Sequence, residues 1–208
     1  MYDLKYRQKF EEFIEELSNY DTAEAYFEHY NKIKDSAINS IKGSADFNIF
    51  CDNITESKYK FVKRELYCDE NNEKTFISID MSKANFTVVN LFCPDIFKGK
   101  SWENYLKDLG ASDYIAESKY IRQVIFGACN PKKQIQAQIA IMSDLAHSLE
   151  QEGYCIYSVN SDEIILNVDD DLPSIADIQL AIKHYVSPHI LNAFKIEYFK
   201  LIKNNVGY

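Results

Sequence analysis

The stretch YCIYSVNSDEIILNV, residues 154–168, predicts a β-hairpin around which the rest of the fold can be arranged. Its two flanks are apolar and rich in β-branched and aromatic residues, whereas its tip, Asn160–Glu163, is polar. Asn and Ser already supply what the backbone of a turn requires, so the turn itself does not need the adjacent carboxylates of Asp162 and Glu163. These carboxylates are either solvated at the tip or positioned there to bind a cation.

The segments on both sides of the hairpin predict a split βαβ sheet. Strands are expected over Thr75–Asp80 and Asn192–Ile202, and helices over Lys132–Glu152 and Ser174–Tyr185 separate these strands from the hairpin. This order indicates an α+β fold in which a mostly antiparallel, ferredoxin-like sheet is covered by helices.

The remaining patterns divide the chain into an N-terminal helical segment, residues 1–57, and an α+β domain, residues 58–208. Apolar residues at helical spacing or in alternation predict the further elements. These are helices over residues 3–19, 21–43, 102–109 and 112–126, a half-exposed strand over Lys58–Tyr67, a short strand at FNIFC (47–51) as one interpretation, and a helical turn or irregular segment at SKANFTVVNLF (82–92).

The composition excludes several classes of protein. The chain is 46% hydrophobic with only 6 Gly and 4 Pro, and it contains no apolar run long enough to span a membrane. Because its N-terminus lacks the apolar stretch of a signal peptide, we expect a cytoplasmic protein whose 5 cysteines are free thiols. The net charge of −9 weighs against a broad, non-specific nucleic-acid surface.

Two carboxylates end elements that a split βαβ sheet can bring side by side. Asp80 follows an apolar strand, and Asp162 lies at the tip of the hairpin. Two neighbouring aspartates repel each other unless a divalent cation lies between them, and Mg²⁺ prefers such oxygen ligands. We therefore predict that Asp80 and Asp162 bind Mg²⁺ with the support of Glu163. The alternatives are that Asp80 caps the following helix or turn and that the hairpin tip is simply solvated.

A predicted helix within ESKYIRQVIFGACNPKKQ carries two cations on one face. Lys119 and Arg122 are three residues apart, which brings their side chains to the same side of a helix. Such cations can hold the triphosphate of a nucleotide against bound metal ions. The same spacing is also expected of a solvated basic face.

Three short segments, SIDMSKANF, KYIRQVIFG and NSDE, resemble in sequence and order the motifs of the palm of template-dependent DNA polymerases, most closely the phage and family B type. The first motif of that family is a strand ending in Asp, which matches Asp80. The second is a helix that begins with Lys and ends with Gly, which matches Lys119 and Gly127. The third is a hairpin whose second Asp aligns with Asp162. The late strand FKIEYFKLIKN is similar to the strand that closes such palms.

The chain departs from the family pattern at several positions. Asn160 replaces the first Asp of the third motif, although family A polymerases carry an Asp-Glu pair that SDE resembles. Asn85 occupies the position at which family B enzymes use Tyr to screen the sugar, and Val124 replaces Ser in the second motif. We expect no thumb and no exonuclease domain in a chain of this length.

The resemblance implies a minimal palm nucleotidyltransferase. Asp80, Asp162 and Glu163 would be its catalytic carboxylates, with Mg²⁺ as cofactor. Lys119 and Arg122 would bind the nucleotide, and Gly127 would allow close approach to the nascent base pair. One alternative is a catalytically inactive, palm-derived binding protein, such as a phage-encoded inhibitor of a host nucleic-acid machine of the anti-CRISPR type.

Another alternative is a subunit whose thumb comes from a second chain. The expected partner is a nucleic acid or a protein complex that processes nucleic acid, and no membrane partner is expected. The sequence leaves the number of assembled copies open.

Overall fold

A computed structural model describes residues 2–53, 56–61, 63–168, 173–186 and 192–203. Over these residues the chain is α+β, with ten α-helices and one four-stranded antiparallel sheet. In chain order the elements are α1 (Tyr2–Leu17), α2 (Ala23–Gly43), α3 (Ala45–Asp52), β1 (Thr75–Met81), α4 (Ala84–Phe92), α5 (Pro94–Phe97), α6 (Trp102–Asp108), α7 (Asp113–Glu117), α8 (Lys119–Gly127), α9 (Pro131–Gln151), β2 (Ile156–Val159), β3 (Glu163–Val168), α10 (Ile175–Tyr185) and β4 (Phe194–Lys200).

The chain divides into two compact units, and each unit is discontinuous in sequence. Unit 1 consists of Met1–Asp52 and Phe92–Pro131, and unit 2 consists of Asn53–Leu91 and Lys132–Tyr208. Unit 1 is helical, whereas unit 2 contains the whole sheet together with α9, α10 and most of α4. None of the described helices is long and apolar enough to cross a membrane.

Unit 1 corrects two of the predicted elements. The FNIFC segment forms helix α3 and not a strand, because Phe47 and Phe50, three residues apart, bury the same helical face. The single helix predicted over residues 112–126 is two helices, α7 and α8. They separate at Ser118, whose extended backbone ends α7 and whose hydroxyl accepts the Ile121 N–H at 3.4 Å to cap α8.

Unit 2 confirms the predicted split βαβ sheet, with strand order β2-β3-β1-β4 and all neighbours antiparallel. Strand β1 alternates between the two faces of the sheet, since Ile77 and Ile79 are fully buried while Ser78 and Asp80 are half-buried. The face that carries Ile77 and Ile79 is buried, and on the other face Phe76 packs in a cluster with Ile165 and Leu201. The face of Phe76 also carries the polar residues of the candidate site.

The strand predicted over Lys58–Tyr67 is wrong. The described residues of this segment, 58–61 and 63–67, form no regular secondary structure, and we call them the strap. The strap is held by side chains and not by a backbone ladder. Ser158 Oγ accepts the Arg64 N–H at 3.1 Å, and the Tyr157 hydroxyl donates to the Glu65 carbonyl at 2.7 Å. Most described strap residues are exposed, and only Phe61 and Leu66 are half-buried, so neither the exposure nor the backbone pairing of a half-exposed strand is present.

Candidate functional site

The register of the sheet brings the three predicted carboxylates together at one end of β1. Asp80 lies directly opposite Glu163 on β3, and the Met81 N–H donates to the Asp162 carbonyl at 2.7 Å. That hydrogen bond makes Asp80 and Glu163 a non-hydrogen-bonded pair, the type in which opposed Cα atoms are about 4.5 Å apart. The end of the first strand and the tip of the hairpin are therefore neighbours, as the split βαβ pattern predicts.

Hydrogen bonds hold the hairpin tip and both of its carboxylates. The Asn160 N–H donates to the Glu163 carbonyl at 2.8 Å and closes the turn. The Ser161 hydroxyl donates to Asp162 Oδ1 at 3.2 Å. On the adjacent strand, the Ser78 hydroxyl donates to Glu163 Oε1 at 2.6 Å, which ties Glu163 to β1. The position of Glu163 is therefore set by both strands.

Asp80 is the carboxylate with the least local compensation. It is half-buried, and it accepts no hydrogen bond from any described residue. Burial raises the pKa of Asp80, and the negative charges of Asp162 and Glu163 raise it further. Lys195, opposite Asp80 on β4, lowers this pKa, but the Lys195 ammonium also lies 2.7 Å from a Glu197 carboxylate oxygen. The site thus has an excess of negative charge.

This donor set fits a hard cation that keeps part of its coordination for other ligands. In the described part of the chain, no three His, Cys, Asp or Glu side chains form a group placed to hold a metal ion. Mg²⁺ commonly uses only one or two carboxylates and takes its remaining ligands from water and substrate phosphates. Asp80 and Asp162 are the two carboxylates that would supply such ligands, and Asp80 accepts no hydrogen bond from the described residues.

The turn that follows Asp80 leads directly into a helix. The Thr87 hydroxyl donates to the Ser82 carbonyl at 2.8 Å, and Lys83 has a φ of 51°, so the chain turns sharply between β1 and α4. Asn85, at the position predicted to correspond to the sugar-screening Tyr, accepts a hydrogen bond from the buried Gln138 amide at 2.7 Å. Asn85 is thus positioned by α9.

The predicted nucleotide-binding residues all lie on α8 of unit 1. Lys119 is exposed at the first position of the helix. Arg122 is half-buried, and burial lowers its pKa while Glu103 opposes the shift. Gly127 is exposed at the last position, and a Cβ added there would meet no atom within 4 Å. The fold of unit 1 therefore does not itself require glycine at position 127.

Sequence reasoning missed several residues of the site. Ser78, Lys195 and Glu197 share the face of Asp80, and Gln138 positions Asn85. The alternation of TFISID and FKIEYFK carried a signal for the first three, since residues two apart in a strand share a face. The contact of Gln138 with Asn85 had no signal in the pattern, because it joins two elements 53 residues apart.

No protein-family model, curated protein sequence or solved structure matches the chain. A function for the protein is therefore inferred from the geometry of the candidate site.

Proposed function

We propose that the protein is a Mg²⁺-dependent nucleotidyltransferase built on a minimal polymerase-like palm. One observation carries the proposal. Asp80 is half-buried, lacks a hydrogen-bond donor among the described residues and directly opposes Glu163, beside Asp162, in a β2-β3-β1-β4 sheet. A protein has little structural reason to place a half-buried carboxylate that lacks a hydrogen-bond donor beside two others at one sheet end, so a positively charged ligand is the simplest explanation.

The proposed roles follow from the surroundings of each residue. Asp80 and Asp162 would hold Mg²⁺. The Glu163 carboxylate, which accepts a hydrogen bond from Ser78, would add negative charge that attracts the metal ion. When bound, the metal would activate an attacking hydroxyl and stabilise a leaving pyrophosphate. Lys119 and Arg122 lie on α8 of unit 1, and their role in binding a triphosphate stays a prediction from the sequence.

Metal binding and nucleotide binding should be coupled in such a site. Two carboxylates satisfy only part of the octahedral shell of Mg²⁺, and phosphate oxygens supply further ligands. The metal alone should therefore bind weakly, and the metal together with a nucleoside triphosphate should bind more tightly than either one by itself. This coupling separates a nucleotide site from a merely acidic surface, which would bind the metal without regard to nucleotide.

The test is isothermal titration of Mg²⁺ or Mn²⁺ into the protein with and without a nucleoside triphosphate. The wild type should show metal-dependent nucleotide binding, and Asp162→Asn should lose it. Asp35→Asn is the matched control, because it removes the same charge from an exposed position of α2. Primer extension with the wild type would then test catalysis directly. Equal binding by the wild type and Asp162→Asn would refute the proposal.

The net charge of −9 favours a second candidate, a catalytically inactive palm-derived protein that binds a basic partner. An inhibitor of a host nucleic-acid machine, of the anti-CRISPR type, belongs to this class. The same titration distinguishes the two functions. Absence of nucleotide binding by all three proteins would favour the binding protein, and pull-down of partners would then replace enzyme assays.

A further inference from the structure

The strap gathers exposed cations in an otherwise acidic chain. Lys58, Lys60, Lys63 and Arg64 are all exposed, whereas the net charge of the whole chain is −9. None of the four forms an ion pair with a carboxylate of the described residues. Four neighbouring cations without an ion-pair partner among the described residues produce a positive surface that can attract an anionic ligand.

Aromatic rings alternate with these cations. Tyr59 stacks on His147 with ring centroids 3.6 Å apart and planes inclined by 13°. The Arg64 guanidinium carbon lies 5.7 Å from the centroid of the Tyr157 ring. Tyr59 and Tyr67 remain 40% and 61% exposed, which leaves ring surface available to further stacking partners. Exposed rings interleaved with cations are the combination that binds unpaired bases and their phosphates.

The strap is ordered although it has no secondary structure. In addition to the two hydrogen bonds that join it to β2, the preceding Ser57 hydroxyl donates to Asp144 of α9 at 2.7 Å. No backbone–backbone hydrogen bond involves the described residues between 56 and 65. The cations are therefore presented on a positioned backbone, which lowers the conformational entropy lost when a ligand binds.

Three adjoining grooves connect the strap with the hairpin tip. Lys58 and Arg64 line a groove of about 460 Å³, and Arg64 also lines a second of about 660 Å³ together with Lys63 and Glu163. Lys63 continues into a third groove of about 460 Å³ that contains Asp162. Neighbouring grooves therefore share a strap cation, and the grooves become more acidic toward the candidate carboxylates, since the second also contains Glu65 and Glu197.

We propose that the strap binds single-stranded nucleic acid and directs it toward the hairpin tip. Phosphates would contact the four cations, and bases would stack on the exposed rings of Tyr59 and Tyr67. An acidic peptide would satisfy the cations but would not need the rings, and a duplex would not expose its bases. The inference deepens the proposed function, because it names a nucleic-acid partner for the unit that contains the candidate site. Only the statement that the bound nucleic acid runs toward the hairpin tip rests on the proposed function.

The experiment measures fluorescence anisotropy of labelled oligothymidylate and oligouridylate of about 12 nucleotides, in EDTA so that no metal contributes. Four phosphate contacts on a single strand predict a slope of about −2.8 for log K against log salt, so affinity should fall about 50-fold between about 50 and 200 mM salt. Tyr67→Ala should weaken binding on the order of tenfold through lost stacking. Comparison of the affinities for the two oligomers shows whether the strap prefers single-stranded DNA or single-stranded RNA.

The decisive variant replaces all four strap cations by Gln, and its slope should fall close to zero. A matched control replaces four exposed lysines elsewhere, so that it has the same net charge as the strap variant. Because the control keeps the strap cations, it should keep the wild-type slope. The strap variant is Lys58→Gln, Lys60→Gln, Lys63→Gln and Arg64→Gln, and the control is Lys9→Gln, Lys32→Gln, Lys42→Gln and Lys183→Gln. Thermal melts of both variants establish that they fold.

Failure of this inference is distinguishable from failure of the proposed function. Asp162→Asn should bind the oligonucleotide at least as tightly as the wild type, because it removes a negative charge from the third groove, while it loses metal-dependent nucleotide binding. Absence of oligonucleotide binding by the wild type, or an unchanged slope in the strap variant, would overturn the inference. Equally tight binding of a duplex, or displacement by polyglutamate at equal charge, would also overturn it.

Discussion

Asp80→Asn should stabilise the protein while it removes nucleotide-dependent metal binding. The wild-type carboxylate is half-buried, opposes Glu163 and accepts no hydrogen bond from the described residues. Two unit charges 4 Å apart would interact by about 4 kcal/mol at an effective dielectric constant of 20, but water screens a half-exposed pair. Like charges directly opposite each other in a sheet cost up to about 1 kcal/mol, and we adopt that magnitude. For a chain of this size it corresponds to a rise in Tm of about 2–4 °C.

The pH dependence of this gain has a definite sign. The pKa of Asp80 is raised in the folded state, so the folded protein binds its proton more tightly than the unfolded chain does. Stability attributable to Asp80 is therefore full below its ordinary pKa of about 3.9 and is lost as the pH rises through the raised pKa. The advantage of Asp80→Asn should be present at about pH 7 and should disappear as the pH approaches about 3.5.

Thermal unfolding followed by circular dichroism, in EDTA and over this pH range, measures the effect. Asp35→Asn is the control, because Asp35 is exposed on α2 and lies 3.5 Å from the Lys34 ammonium, so its removal should not raise Tm. In a second set of melts without EDTA, Mg²⁺ with a nucleoside triphosphate should stabilise the wild type and leave the Tm of Asp80→Asn unchanged. A lower Tm for Asp80→Asn at neutral pH would refute the reasoning, since it would show that the carboxylate is compensated in the folded protein.

Three further outcomes are expected. Ser78→Ala removes the 2.6 Å hydrogen bond to Glu163 and should weaken nucleotide-dependent metal binding in the titration without abolishing it, whereas complete loss would assign Ser78 a direct ligand role. Gly127→Ala should raise the free energy of unfolding in urea by up to about 1 kcal/mol, because the added methyl group meets no atom within 4 Å; destabilisation would contradict that geometry. The exposed Cys155 should react with a thiol reagent at about pH 8, while Cys93 should not, because burial raises its pKa to about 12; equal rates would disprove the burial of Cys93.

The sequence predicted correctly those elements in which the spacing of apolar residues and the residues that mark the ends of the element indicate the same structure. The hairpin and strands β1 and β4 alternate clearly, and the Ser174 cap opens α10 with a capping box. Prediction failed where the spacing of apolar residues in the sequence differs from the spacing of the residues that are buried in the structure. In α3 the apolar residues Phe47, Ile49 and Cys51 alternate as in a strand, whereas the two buried residues, Phe47 and Phe50, are at helical spacing. The strap alternates polar and apolar residues in sequence, but most of its described residues are exposed and it has no strand partner.

The sequence by itself determined the α+β class, the order of its strands along the chain and the two faces of each strand, since all of these follow from neighbouring residues. Only the tertiary structure decided that Asp80 opposes Glu163, that Lys195 lies on its other side, and that the strap cations line the grooves ending at Asp162. The physical reason is that period assigns a side chain to a face, whereas register and proximity depend on segments that are distant in the chain. The charges that shift the pKa of Asp80 come from 82, 83 and 115 residues further along, where Asp162 and Glu163 raise it and Lys195 lowers it.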